Sequence, residues 1–149
     1  SEISIIEKEE HCLVTVDITE KTSFEEEVEM ITAQTEKYRL GRLHDASYGS
    51  MLPVSSLQKG YFDNYTRLFI EIPFLTRETG LHIQPGGKYL RSFHKGGWSG
   101  ISAKYQELMD YAAMHGLTLS GFAYEMGINE NVIDRIEDYI VQIEIPISD

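Results

Sequence analysis

Short apolar runs of β type alternate along the chain with two longer stretches of helical spacing. Residues 3–6 and 12–18 are rich in β-branched residues and flank the polar Lys8-Glu9-Glu10-His11, a pattern that predicts a hairpin. Ser23 followed by Glu26 fits a capping box, and the acidic Glu25, Glu26 and Glu27 suit the positive end of a helix dipole. Phe24, Val28, Ile31 and Tyr38 fall at helical spacing, with Thr35 filling one turn. A helix is expected over residues 24–39, broken at Gly41. A short strand at 49–52 precedes Pro53, a loop at 54–64 carries Gly60-Tyr61-Phe62 at its tip, and a strand runs over 65–74, ending around Pro73.

The pattern then resets. Residues 76–87 read as a connector, with Gly80 and Pro85-Gly86-Gly87. A strand at 88–94 leads through His94-Lys95-Gly96-Gly97 to Trp98, and Ser99 is placed to cap a second helix. Ile101, Tyr105, Leu108, Met109 and Ala112 share one face of that helix, and Gly116 ends it. A strand at 118–126, a turn at 127–131 and a final strand at 139–147 follow. Ile70-Glu71-Ile72-Pro73 recurs as Ile143-Glu144-Ile145-Pro146, an offset of 143 − 70 = 73 residues. The same offset sets the strand at 49–52 near residues 122–125. The expectation is one α+β domain over 1–149, made of duplicated βαββ units (about 1–75 and 83–149). They would share an antiparallel sheet with two main helices and a ligand cleft between pseudo-two-fold halves.

Composition narrows the function. Of 149 residues, 42% are hydrophobic, enough for a core, and 13 Lys and Arg against 24 Asp and Glu leave a formal charge of −11. That deficit of basic residues argues against a grip on nucleic acid by this segment. No apolar run approaches the ~18–20 residues of a membrane span, and no secretory signal opens the chain. The first residue is Ser1 rather than Met, which reads as a piece of a longer protein or a processed one. The lone Cys12 excludes an intrachain disulfide and fits a reducing cytoplasm. His11, His44, His82, His94 and His115 show no zinc spacing, so no metal or other cofactor is expected. There is no Walker motif, no G-x-G-x-x-G and no G-x-S-x-G. Gly96-Gly97 reads either as an anion cradle on free amides or as a plain sharp turn, with the turn favoured.

Aromatic residues make up 11% of the chain, and Tyr48, Tyr61, Phe62, Tyr65, Trp98, Tyr124 and Tyr139 lie outside helix faces. Such side chains offer flat apolar area with a polar handle, whether in a core or in a cleft. Glu125 stands in a nearly apolar strand, where alternation sets it on one face with Leu119, Gly121 and Ala123. The small residues leave room there, so the carboxylate either looks into a hollow or ends the strand in water. A recessed carboxylate has its pKa raised and seeks a cation or a tyrosine hydroxyl. A lipophilic cation satisfies both carboxylate and aromatic faces, each cation–π contact adding about 0.5–2 kcal/mol.

The run Lys88-Tyr89-Leu90-Arg91-Ser92-Phe93-His94-Lys95-Gly96-Gly97-Trp98, the Tyr124-Glu125 strand and the closing Val141-Gln142-Ile143-Glu144-Ile145-Pro146-Ile147 resemble the effector-binding domain of MerR-family transcription activators, in the gyrase-inhibitor-like superfamily. The resemblance covers nearly the whole chain and implies a sensor of amphipathic, cationic aromatic compounds, not an enzyme. Glu125 matches the acidic position of multidrug-sensing members, with Trp98 where many carry tyrosine; Tyr139, Tyr61, Tyr48 and Phe93 complete the expected ligand wall. In such regulators DNA is bound by a separate N-terminal winged helix-turn-helix, joined by a helix that forms a homodimer. Neither is in this sequence, which suits part of a regulator or a stand-alone member. Two alternatives accompany the resemblance: a hydrolase of reactive cyclopropane compounds with Glu125 as general base, and a protein-binding module.

Overall fold

The computed structural model of the chain describes residues 2–38, 47–72, 80–129 and 134–148. The expected helix end at Arg39 and Gly41, His44, the strand end at Pro73 and Phe74, residues 76–79 of the connector, and Glu130 and Asn131 of the turn lie outside the described residues. The elements run β1 (Ser4–Lys8), β2 (His11–Asp17), α1 (Phe24–Lys37), β3 (Ser47–Pro53), α2 (Val54–Gln58), β4 (Arg67–Ile72), β5 (His82–Gln84) and β6 (Gly87–Lys95). Then come α3 (Ile101–Met114), β7 (Thr118–Leu119), β8 (Phe122–Gly127), a 3-10 turn at Ile136–Asp138, and β9 (Ile140–Ser148).

The fold is α+β with an antiparallel sheet in the order β1-β6-β9-β8-β3-β4-β2-β5, and β7 pairs β9. The expected hairpin does not form. β1 pairs β6, whereas β2 pairs β4 and β5. The link of Glu9 and Glu10 is therefore a crossing between the two ends of the sheet, and a Cβ on Gly86 of the β5–β6 link would meet the Glu10 amide at 3.1 Å. The first short strand of each half pairs with the other half, so local alternation alone misassigned its partner. The expected single strand at 118–126 is two, because Gly121 takes a left-handed φ of 73° between β7 and β8. α2 and β5, five and three residues long, fall inside the stretches read as loop and connector.

Both helices lie on one face of the sheet. The box at the start of α1 is formed as expected: Ser23 Oγ accepts from the Glu26 amide (3.1 Å), and the Ser23 amide donates to Glu26 Oε1 (2.9 Å). α3 is capped by Gly100 at φ 77° rather than by Ser99, whose carbonyl instead accepts from His94 Nε2 (2.5 Å). α3 buries Ile101, Lys104, Tyr105, Leu108 and Ala112, and the main core joins it to Leu52, Leu90, Ala123, Ile143 and Ile145. α1 buries Thr35 alone, with Ile31 and Tyr38 packed against Val14 and Ile70. On the opposite face, Leu13, Met51, Phe69, Tyr89 and Tyr124 form a second core that unites β2 with β6, five places apart in the sheet, so the sheet is curled.

Candidate functional site

Cross-strand register decides which side chains meet. Ser50 stands opposite Glu125, Glu125 opposite Ile143, and Ser50 opposite Leu68, so all four face the helices. Tyr48 pairs with Ile70 just as Glu125 pairs with Ile143. Tyr48 and Glu125 thus each stand across from one of the two isoleucines that recur at the 73-residue offset. Beside these residues lies a cavity of about 220 Å³ lined by Ile31, Tyr48, Ser50, Leu68, Trp98, Glu125, Gly127, Tyr139 and Val141, among others. Ile31 of α1 forms part of its wall.

Glu125 is recessed, 5% exposed. The Tyr65 hydroxyl lies 3.0 and 2.9 Å from its two oxygens, sharing one proton between them, and the Tyr105 hydroxyl donates to Oε2 at 2.5 Å. Tyr105 is held on the buried face of α3, its ring stacked on Phe62 at 6.2 Å. Burial raises the Glu125 pKa above its ordinary 4.5, while the two phenol hydrogen bonds oppose that shift. Burial and the nearby Glu125 charge raise both Tyr65 and Tyr105, which stay protonated donors. Burial also raises Tyr48.

The hollow beside Glu125 does not arise as the alternation suggested. Gly121 is outside the strand, and Ala123 is packed in the main core. Room comes instead from Ser50 and Gly127 on the neighbouring lining. Trp98, 63% exposed, stands at the rim with its ring 5.8 Å from Tyr139. Tyr61 is 61% exposed and lines a separate surface hollow with Glu20, Glu27, Asp63 and Tyr65. Phe93 pairs with Gln142, which pairs with Met126, so it faces away from Glu125. Thus Glu125, Trp98, Tyr139 and Tyr48 are brought together, and Tyr61 and Phe93 are not.

In the sequence Tyr65 is one of several aromatic residues outside helix faces, and Tyr105 shares the apolar face of the second helix. The signal for Tyr105 was its hydroxyl: a tyrosine on a wholly apolar helix face needs a buried acceptor. Tyr124 points to the opposite face, where its hydroxyl meets His82 Nε2 at 2.7 Å. Gly96 and Gly97 do not offer free amides; both donate to the Tyr139 carbonyl, at 2.9 and 3.2 Å. The turn thereby ties Trp98 to Tyr139, and the anion reading gives way to the structural one.

Among the described residues no group of three or more metal-ligating side chains gathers, and no helix is long and apolar enough to cross a membrane. No family model and no curated protein matches the sequence. Solved structures do match. The EcmrR C-terminal domain aligns over 99% of this chain and 97% of its own, with a TM-score of 0.66 and 16% identity. The chain shares its fold. In the EcmrR–DNA complex the match covers 98% of this chain but only 57% of the longer EcmrR chain, again at a TM-score of 0.66 and 16% identity. A hydrolase from Listeria innocua aligns over 99% of this chain and 92% of its own (TM-score 0.63, 13% identity). SAV2435, solved bound to tetraphenylphosphonium, aligns over 99% and 94% (TM-score 0.55, 14% identity). The antiparallel α+β fold expected from the resemblance to MerR-type effector-binding domains is the fold observed.

Proposed function

We propose that this chain is the effector-binding domain of a cytoplasmic transcription regulator of MerR type, and that its effector is an amphipathic aromatic cation seated beside Glu125. The observation that carries the reading is a buried carboxylate beside a cavity whose described lining holds no Lys, Arg or His. The contrast with Glu144, also buried, supports it. Glu144 is neutralised by Lys8 at 2.7 Å and faces Arg91 at 3.8 Å. Glu125 has phenols in place of cations. Two hydroxyls ease its burial without cancelling its charge, and Trp98, Tyr139 and Tyr48 supply the flat apolar walls. The fold shared with EcmrR and with tetraphenylphosphonium-bound SAV2435 agrees with this reading. In the whole regulator, a separate N-terminal part binds DNA and pairs two copies of the protein. The effector shifts that assembly between two arrangements by its differential affinity for them.

Trp98 is the chain's single tryptophan and reports directly on the cavity. Tetraphenylphosphonium should change its fluorescence saturably, and Glu125→Gln should weaken binding by about 1–3 kcal/mol. No saturable change, or equal affinity in the variant, rejects the reading. A second reading has one observation behind it: a carboxylate with a raised pKa beside a cavity suits a general base acting on water, and the Listeria innocua hydrolase shares the fold. Turnover of a reactive cyclopropane compound by this chain, lost in Glu125→Gln, would favour it over sensing.

A further inference from the structure

α1 borders two hollows. Ile31 lines the Glu125 cavity, whereas Met30, Ala33 and Gln34 line a separate and larger one of about 710 Å³. Arg67 and His82 stand on its polar side. The Arg67 guanidinium is held from three directions. Its Cζ lies 5.0 Å from the centroid of the Phe122 ring, Nη1 faces His82 Nδ1 at 3.5 Å, and Nε meets Asp17 Oδ1 at 3.3 Å. A guanidinium only donates, so Nδ1 accepts, and His82 Nε2 gives its proton to the Tyr124 hydroxyl at 2.7 Å. Burial and the Arg67 charge lower the His82 pKa, so Arg67 is the positive charge of the described lining. Its remaining nitrogen, Nη2, has no partner among the described residues. β2 brings further donors. Its ladder with β5 covers only His11–Leu13, while the strand runs on to Asp17. The Ile18 amide donates to the Thr66 carbonyl, continuing the ladder to β4, so the backbone groups of Thr15 and Asp17 turn away from β4, along the open edge that borders the hollow.

From this arrangement we infer that the second hollow binds a small amphipathic carboxylate, its head on the Arg67 guanidinium and the open edge of β2, its apolar part against Met30, Ala33 and Leu81. A guanidinium fork matches the geometry of a carboxylate, and charge strengthens each of the bonds between them. Phe122 and His82 fix the fork in advance, so little side-chain freedom is lost on binding. Asp17 already meets one of the donors, but its side chain is 88% exposed, and an exposed ion pair is weak. A ligand that offers the same charge and also covers apolar surface outcompetes it. The hollow makes no use of Glu125, so the inference stands apart from the cation reading of the other cavity.

The test is a calorimetric titration with 4-phenylbutanoate and with 4-phenylbutan-1-ol, which keeps the skeleton and drops the charge. The acid should bind saturably at one site, about tenfold more tightly than the alcohol. Arg67→Gln should weaken the acid by about tenfold or more. Asp17→Asn removes the exposed competitor and leaves every buried group in place, so it should tighten the acid about threefold. Glu125→Gln should bind the acid as the wild type does. No saturable binding of the acid, or equal affinity for acid and alcohol, overturns the inference. So does unchanged affinity in a folded Arg67→Gln, judged by its circular dichroism. If that variant does not fold, Asp17→Asn decides, and equal or weaker binding there overturns the inference. A loss of acid binding in Glu125→Gln would place the acid in the other cavity and overturn it as well.

Discussion

Two glutamates on neighbouring strands are buried to nearly the same degree, and they are treated in opposite ways. Glu144 on β9 faces the inner side of the curled sheet, where Lys8 and Arg91 meet it. Glu125 on β8 faces the helices, where Tyr65 and Tyr105 meet it and a cavity lies alongside. An internal cation makes the first carboxylate part of the architecture. Phenols alone leave the second with a net charge and an open side. The difference separates a charge the fold needs from a charge a ligand can answer.

The largest effect should come from breaking the first arrangement. Glu144→Gln leaves Lys8 and Arg91 without their partner and should lower stability by about 2–3 kcal/mol in chemical denaturation, with cation affinity unchanged. Glu125→Gln should do the reverse, leaving stability equal or higher while affinity falls. Its signature is in the pH dependence. Because the folded pKa of Glu125 is raised by burial, its favourable contribution is fully present below the ordinary 4.5 and is lost as pH rises through the raised value. Stability of the wild type should therefore decline over that window relative to Glu125→Gln.

A smaller effect probes α1, whose Ile31 lines the cavity. Ser23→Ala removes the cap of α1, and should cost about 1 kcal/mol in thermal unfolding. The smallest expectation sharpens the boundary of the site: Phe93→Ala and Tyr61→Ala should each change cation affinity by less than about 0.5 kcal/mol, measured by the Trp98 titration. A large loss in either would put the ligand elsewhere.

Where a feature depended on neighbours in the chain, the residues announced it. The capping box at Ser23 and the apolar face of α3 are local or periodic signals, and those elements stand where they pointed. Pairing of β1 with β6 joins residues 79 to 87 apart, and no local pattern distinguishes it from a hairpin. Glu125 was legible because a carboxylate in an apolar strand is anomalous in itself. Its partners were harder to see. Tyr105 carries the spacing of a core residue, and only its hydroxyl departs from that role. Phe93 shares a motif with the site, yet strand alternation turns it to the other face.

If a bound cation is answered by the ionised Glu125, binding must expel the proton that the free site holds. Calorimetry of tetraphenylphosphonium binding in two buffers of different ionisation enthalpy, at a pH between the ordinary glutamate value and the raised one of Glu125, measures the protons released. The wild type should release a fraction of a proton per cation and Glu125→Gln none. Binding without proton release, or the same release in both proteins, would rule out Glu125 as the counter-charge of the proposed ligand.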